Sequence, residues 1–172
     1  MYMGVLSSWS VLLHRYTGQE DFVLGSPVAG RDHSDLNDQI GFYVNTLALR
    51  QGLSSQDSFE SFFDRLKERT LLSLDHQMYP FDRLVDELDL QRDTSRSAVF
   101  DVLFTFQQQG NQQQQQQQQQ INVDTITDHA EVASKFDLSI TMVDQGDHLL
   151  LDLSYNSDVY ESSMIEGLLQ HY

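Results

Sequence analysis

The chain has 172 residues, of which 40% are hydrophobic, so it is long enough to bury the core of one domain. Its formal charge of −16 results from 26 acidic and 10 basic side chains, and this balance disfavours binding to nucleic acid or to an anionic membrane surface. The absence of cysteine excludes disulfides, thiolate nucleophiles and cysteine metal sites, and it fits a cytosolic protein.

The N-terminal region shows one helical pattern and one short apolar strand pattern. Apolar residues at helical spacing from Val5 to Tyr16 predict a helix that ends at Gly18. The chain has no run of about 18 apolar residues and no basic, cleavable leader, so we expect no membrane span and a cytoplasmic location. Phe22 to Leu24 is typical of a short buried strand, which the following Gly-Ser-Pro should close.

A primary amide within an apolar strand pattern is the most informative local feature. Residues 40–50 alternate as in a buried strand, with Ile40, Phe42 and Val44 on one face and Asn45 on the other. A buried carboxamide without partners costs about 1–3 kcal/mol, so Asn45 requires protein, water or a ligand. Two interpretations stay open: the amide bonds neighbouring backbone at a bulge or strand end, or it faces a ligand.

Two helices are predicted after this strand. Asp57 and Glu60 have the spacing of a capping box with Asp57 as the cap, ahead of a long amphipathic helix that should end near Met78. Pro80 suits the first turn of a second, shorter helix. His76 falls at the end of the first helix, where we interpret it as a helix-end cap rather than as a functional imidazole.

The second half of the chain predicts four strands and a final helix. Residues 99–106 are typical of a strand, and the glutamine-rich segment 107–120 that follows cannot build a packed core. We interpret this segment as a flexible surface loop without a role. A hairpin is predicted at 144–147 and a helix at 164–172, so the fold class is α/β or α+β with a mixed sheet. Alternating strand patterns occupy residues 121–127, 136–142 and 149–155.

No self-contained reaction centre can be recognised from the residues alone. The six histidines lack metal-ligand spacing, so no metal site is expected. Segment 25–30 is unlike a nucleophile elbow, because Ser26 directly follows its glycine and is itself followed by proline. Arg92, Asp93 and Arg96 predict a turn in which a carboxylate lies between two guanidinium groups.

Four motifs in a fixed order carry a family resemblance. They occupy residues 24–31, 40–50, 76–85 and 92–97, and the last leads into 100–104. Together they closely resemble the later motifs of condensation domains, the peptide-bond-forming units of nonribosomal peptide synthetases. Residues 135–138 and 155–158 continue the likeness, which covers nearly the whole chain except the glutamine-rich segment.

The resemblance implies a chloramphenicol acetyltransferase-like fold, in which two lobes face each other across a channel. Phosphopantetheine arms of donor and acceptor carrier proteins would enter this channel from opposite ends, and the acceptor amine would attack the donor thioester to form an amide. The family motif HHxxxDG, which supplies the histidine for proton handling, is absent here. The chain is therefore expected to be the C-terminal lobe alone, spanning residues 1–172, and inactive without the other lobe.

The same resemblance implies roles and partners. Asn45 matches the motif asparagine near the channel, whereas Ser26 and Arg31 would line the acceptor side or brace the loop. The expected partners are the N-terminal lobe, peptidyl carrier proteins and an adjacent adenylation domain, with no directly bound cofactor. The rival expectation is a non-catalytic docking or scaffold module that holds carrier proteins. The residues expected to hold the lobe together are Gly41, His76, Pro80, Arg92, Asp93 and Arg96.

Overall fold

The computed structural model describes residues 1–31, 33–36, 38–90, 97–108 and 135–172. Within these ranges, a five-stranded mixed sheet is flanked by helices. None of the described helices is both long and apolar enough to cross a lipid bilayer. The helices are α1 (Tyr2–Thr17), α2 (Phe59–Asp75), α3 (Phe81–Glu87) and α4 (Ser162–His171), and the strands are β1 (Asp21–Val28), β2 (Asn45–Gly52), β3 (Val102–Gln108), β4 (Leu138–Asp144) and β5 (Leu149–Tyr155).

The sheet has the strand order β2-β1-β3-β4-β5 and combines both pairing directions. β1 pairs antiparallel with β2, from Asp21 opposite Gly52 to Val28 opposite Asn45. β3 runs parallel to both of its neighbours, and the β4–β5 pair is an antiparallel hairpin. The mixed sheet predicted from the interspersed strand and helix patterns is therefore confirmed.

One apolar core joins α1, α2 and α4 to the sheet. α1 contributes its stripe at helical spacing, and Trp9 at the centre of that stripe is fully buried. Phe104 on the central strand β3 is also fully buried, as are apolar residues of β1 and β4. The largest fully buried apolar side chains are Trp9, Phe104, Leu6, Leu24, Ile140 and Met142.

The structure confirms several predicted helix and turn signals. α1 ends at Gly18, whose left-handed φ of 69° lets its N–H donate to the His14 carbonyl oxygen. The predicted hairpin at 144–147 forms the β4–β5 connection, with Gly146 at a φ of 95°. The shorter helix predicted after α2 is confirmed as α3, but Pro80 is its N-cap with an extended backbone and does not lie in its first turn.

The predicted cap of α2 was wrong by one residue. Ser58 is the N-cap, because its side chain accepts a hydrogen bond from the backbone N–H of Ser61 at 3.2 Å. The carboxylate of Asp57 instead accepts from the backbone N–H of Ser54 and pairs with the guanidinium of Arg65. α2 also ends at Asp75, earlier than predicted.

Three strand boundaries also differ from the prediction. β1 runs to Val28 and includes Pro27, which is tolerated because β3 pairs with β1 only around Leu24 and leaves the proline nitrogen without a required partner. β2 begins at Asn45, so residues 40–44 are not part of the sheet. β3 continues through Gln107 and Gln108, which shortens the predicted loop at its start.

Some expectations fall outside the described residues. These are the remainder of the glutamine-rich segment from residue 109 onwards and the alternating pattern at 121–127. The turn predicted around Arg92, Asp93 and Arg96 also lies outside the described ranges.

Candidate functional site

The motif residues of the first half of the chain meet at one end of the sheet. β1 ends at Val28, which pairs with Asn45, the first residue of β2. The segment 29–44 connects these two strands, and we call it the β1–β2 connection. Ser26 lies near the end of β1, just before this connection, whereas Arg31 and Gly41 lie within it.

The amide of Asn45 is fully engaged by the protein. Its Nδ2 donates to the carbonyl oxygens of Gln77 at 2.7 Å and Tyr79 at 2.8 Å, and its Oδ1 accepts from the backbone N–H of Phe81 at 3.2 Å. The partner is therefore backbone, as one interpretation held, but it lies 32 to 36 residues along the chain rather than next to Asn45. The half-buried side chain ties the start of β2 to the α2–α3 turn.

Arg31 organises the β1–β2 connection from inside. Its guanidinium lies over the ring of Tyr43, 4.3 Å from the ring centroid. The same group donates to the carbonyl oxygen of Leu36 and, through Nη2 at 2.9 Å, to that of Gln39. Tyr43 in turn donates from its hydroxyl to Gln39 Oε1 at 2.8 Å. The planar guanidinium presents several donors in a rigid fork and stacks on aromatic faces, so one side chain holds a ring and two carbonyls at once.

Tyr43 also explains two glycines of the connection. A Cβ at Gly30 would lie 2.1 Å from the carbonyl oxygen of Tyr43, and the φ of Gly30 is +30°. A Cβ at Gly41 would lie 2.8 Å from the Tyr43 ring. Sequence reasoning identified Gly41 but missed Tyr43 and Gly30, because a contact across the connection leaves no periodic signal.

Ser26 lies inside the lobe. Only 2% of the residue is exposed, and its hydroxyl is 3.1 Å from the hydroxyl of Tyr2 on α1. Burial raises the pKa of the Tyr2 phenol above its ordinary value. Because the two hydroxyls satisfy each other against α1, this geometry favours the bracing alternative for Ser26.

His76 and Pro80 flank the turn that Asn45 holds. His76 is the C-cap of α2, and its Nδ1 lies 2.8 Å from the carbonyl oxygen of Leu72. Pro80 precedes α3 and contributes its extended backbone, with a φ of −64°. Both residues therefore lie where a cap and a helix start are needed, on either side of the carbonyls that Asn45 binds.

Three apolar side chains of the connection point away from the protein. The exposed fractions are 105% for Ile40, 90% for Phe42 and 49% for Val44. We call these three residues the apolar ridge. The prediction that they form the face of a buried strand was wrong for this chain, because residues 40–44 have no strand partner among the described residues.

The polar side chains of this site hold other parts of the same chain in position. The amide and guanidinium groups bind the protein's own backbone, and the hydroxyl groups bind other side chains. These contacts fix the connection, and the ridge faces outward. The described residues contain no group of three or more histidine or acidic side chains that could hold a metal ion.

Comparison with known proteins identifies relatives that match this chain over all of its 172 residues. A family model described as "Condensation domain" matches residues 1–172. Gramicidin S synthase 2 of Brevibacillus brevis is 36% identical and bacitracin synthase 2 of Bacillus licheniformis is 37% identical, each over all 172 residues. Tyrocidine synthase 3 of Brevibacillus parabrevis is 36% identical over the same span. The chain covers only 4%, 6% and 3% of these three proteins, respectively.

Solved structures share the fold. The condensation domain of the Monacolin K polyketide synthase MokA matches 97% of this chain with a TM-score of 0.75 and 22% identity, and the match covers 38% of that chain. A four-domain nonribosomal peptide synthetase bound to AMP and glycine matches 98% of this chain with a TM-score of 0.78 and 21% identity, over 14% of its own length. These likenesses confirm the predicted acyltransferase-like fold class. Together with the family match, they show that the chain belongs to the condensation-domain family of nonribosomal peptide synthetases.

Proposed function

We propose that residues 1–172 form the C-terminal lobe of a condensation domain and supply one wall of its reaction channel. The observation that carries this proposal is a difference in coverage. The family match includes the whole of this chain, whereas the fold of this chain accounts for only 38% of the MokA condensation-domain chain. A chain of this extent corresponds to one part of such a domain.

The proposed reaction joins two substrates that carrier proteins present on phosphopantetheine arms. The amine of the acceptor attacks the thioester carbonyl of the donor, a C–N bond forms, the C–S bond breaks, and the donor arm leaves as a thiol. Holding both arms in one channel can contribute about 7–11 kcal/mol at best. The amine proton requires a base, which the family motif HHxxxDG would supply. Because this sequence lacks that motif, we expect the chain alone to be inactive.

Within this proposal, Asn45 and Arg31 are positioning residues of the channel wall. Asn45 fixes the α2–α3 turn against β2, and Arg31 fixes the β1–β2 connection through Tyr43. Ser26 supports the same end of the sheet from inside. The proposed partners are the N-terminal lobe, two peptidyl carrier proteins and a neighbouring adenylation domain, all in the cytoplasm.

Reconstitution of the two lobes tests the proposal. This chain is joined to the preceding lobe of the gramicidin S synthase 2 condensation domain, and two loaded carrier proteins are added. We expect amide product by mass spectrometry from the joined protein and none from the chain alone. A joined protein with alanine in place of the second histidine of HHxxxDG is the matched control. Turnover by the chain alone would refute the one-lobe proposal.

A non-catalytic docking module is the second candidate function. A specific observation favours it: the X-domain from teicoplanin biosynthesis, solved in complex with OxyB, matches 99% of this chain with a TM-score of 0.79 at 20% identity. This fold can therefore occur in a domain that binds another protein. Carrier-protein binding by the joined protein without any amide formation would support this candidate. An upstream reading frame that encodes HHxxxDG would favour the enzyme.

A further inference from the structure

We infer that the free edge of β2 is a binding site for an extended acidic peptide, which adds to the sheet as a further strand. β2 is the outermost strand in the order β2-β1-β3-β4-β5, so one of its edges has no partner among the described strands. A groove of about 360 Å³ lies between residues 48–51 of this strand and the C-terminal half of α2. The inference goes beyond the proposed function and does not depend on it.

The register of the β1–β2 ladder shows which backbone groups of β2 face outward. The N–H of Leu53 donates to the carbonyl oxygen of Glu20 at 2.8 Å, so this pair and every second pair along the ladder exchange backbone hydrogen bonds. Pro27, which has no N–H, lies opposite β2 at one of the alternate pairs, as this assignment requires. The backbone N–H and carbonyl groups of the alternate β2 residues therefore point away from β1, and such an edge is a template for an added strand. These residues are Thr46, Ala48 and Arg50.

Two buried side chains that line the groove have polar atoms without hydrogen-bond partners. Thr70 is 2% exposed, and its hydroxyl has no partner among the described residues. Gln51 is 3% exposed, and its Nε2 donates to the carbonyl oxygen of Leu49 at 3.3 Å, whereas its Oε1 accepts from no described residue. Because buried polar groups are hydrogen-bonded in folded proteins, these atoms indicate an occupant with polar groups of its own. A peptide backbone supplies both donors and acceptors.

The charge of the groove favours an acidic occupant. Among the described residues that line it, the charged ones are Arg50 and Arg69, and none is a carboxylate. Arg50 is already engaged, because its guanidinium donates to the carboxylate of Asp21 at 2.8 and 2.5 Å. The guanidinium of Arg69 donates to no residue in the described ranges, and a Cβ at Gly52 would lie 2.9 Å from its Nη1. Arg69 thus places an available cation beside the edge strand, where it can pair with an acidic side chain of an added strand.

A second copy of this chain fits the same edge less well than a separate peptide. Pairing two β2 edges would bring the arginines at the edge, Arg50 and Arg69, of one copy towards those of the other. Like charges opposite each other destabilise strand pairing, and charged side chains at an edge oppose edge-to-edge association. Each copy also carries a formal charge of −16. A short acidic peptide avoids the contact between arginines and supplies the carboxylate that Arg69 lacks.

Fluorescence anisotropy with a synthetic peptide tests the inference. The probe is a fluorophore-labelled peptide of alternating valine and aspartate, added to the 172-residue chain at low ionic strength. We expect saturable binding of this probe, and binding at least about tenfold weaker for the same peptide with lysine in place of aspartate. Methylation of the probe's backbone nitrogens should abolish binding, because strand addition requires their N–H groups as donors.

Two matched substitutions on α2 test whether the probe binds in the groove. Arg69→Gln should weaken probe binding about three- to tenfold, because it removes a charged hydrogen-bond donor. Lys67→Gln removes the same charge from a residue that does not line the groove, and it should change binding less than about twofold. Both positions are exposed, so we expect the urea unfolding midpoints of the two variants to match that of the wild type.

Four outcomes would overturn the inference. These are no saturable binding of the aspartate probe, equal binding of the aspartate and lysine peptides, undiminished binding of the methylated probe, and equal weakening by the two substitutions. Sedimentation of the chain as a dimer that the probe does not dissociate would assign the edge to a second copy and would overturn it as well.

Discussion

Replacing Asn45 with alanine should destabilise the lobe, and the loss can be worked out from three hydrogen bonds. The substitution removes both donors to the carbonyls of Gln77 and Tyr79 and the acceptor for the N–H of Phe81. Each net hydrogen bond contributes about 0.5–1.5 kcal/mol, so we expect a loss of about 2–4 kcal/mol. The half-buried location keeps the loss below that of a fully buried site, since water can reach part of the exposed backbone.

Urea unfolding of the 172-residue chain measures this loss. With an m-value of about 2 kcal/mol per M, a loss of about 3 kcal/mol lowers the unfolding midpoint by about 1.5 M. Asn156→Ala is the matched control, because among the described residues the Asn156 side chain accepts a single hydrogen bond, from the N–H of Asp158 at 3.0 Å. The control should lose about 1 kcal/mol or less.

The isosteric substitution Asn45→Asp removes the two amide donors and keeps the acceptor, so it measures the donors' contribution separately. A carboxylate can still accept from the N–H of Phe81, but it faces the carbonyl oxygens of Gln77 and Tyr79 without a proton to donate. We expect it to be at least as destabilising as alanine at pH 7. If both variants unfold within about 0.5 kcal/mol of the wild type, the amide does not hold the turn and the reasoning is refuted.

Two further predictions concern the turn before the ridge and the start of α2. Gly30→Ala should cost about 2–4 kcal/mol, because its Cβ would meet the Tyr43 carbonyl at a positive φ, whereas Gly4→Ala in α1 has free space and should not destabilise. Equal unfolding midpoints would contradict this. Hydrogen bonds from Arg65 lower the pKa of the Asp57 carboxyl. The stabilisation that the charged Asp57 carboxylate gives the folded protein is therefore complete above the ordinary pKa of about 3.9, and it is lost as the pH falls through the lowered pKa. Urea titrations at several pH values should show that Asp57→Asn is less stable than wild type at pH 6 and that the difference shrinks at more acidic pH. A difference in stability between Asp57→Asn and wild type that stays the same at all pH values would contradict this prediction.

The elements that sequence reasoning predicted correctly are those with a local cause. α1 has a helical apolar stripe and a glycine that can adopt a left-handed φ, and the β4–β5 hairpin has Gly146 in its turn. The cap of α2 shows the limit of local reasoning. Asp57 and Ser58 are both good cap residues, and the choice depends on Arg65, which draws the carboxylate away from the helix terminus.

The site could be predicted only in part, because its contacts join distant segments. The sequence singled out Asn45 by its unusual polarity, and the resemblance singled out Ser26 and Arg31, but no local pattern shows that an amide binds a turn more than 30 residues away. The same limit applies to Tyr43. Its carbonyl oxygen and its ring leave no room for a Cβ at Gly30 and Gly41, and the Arg31 guanidinium lies over the ring. Such constraints become visible only once the chain has folded.

The apolar ridge shows that an alternating apolar pattern can predict which side chains share a face without predicting whether that face is buried. Residues 40–49 do alternate: Tyr43, Asn45 and Leu47 face the protein, whereas Ile40 and Phe42 face away. Hydrophobic periodicity reports which side chains share a face, but it does not report which polypeptide covers that face. A face that is apolar, uncharged and held rigidly outward in one lobe has the composition of an interior surface. The pattern at residues 40–44 therefore predicted a shared apolar face correctly, whereas the buried strand that it also predicted is absent from these described residues.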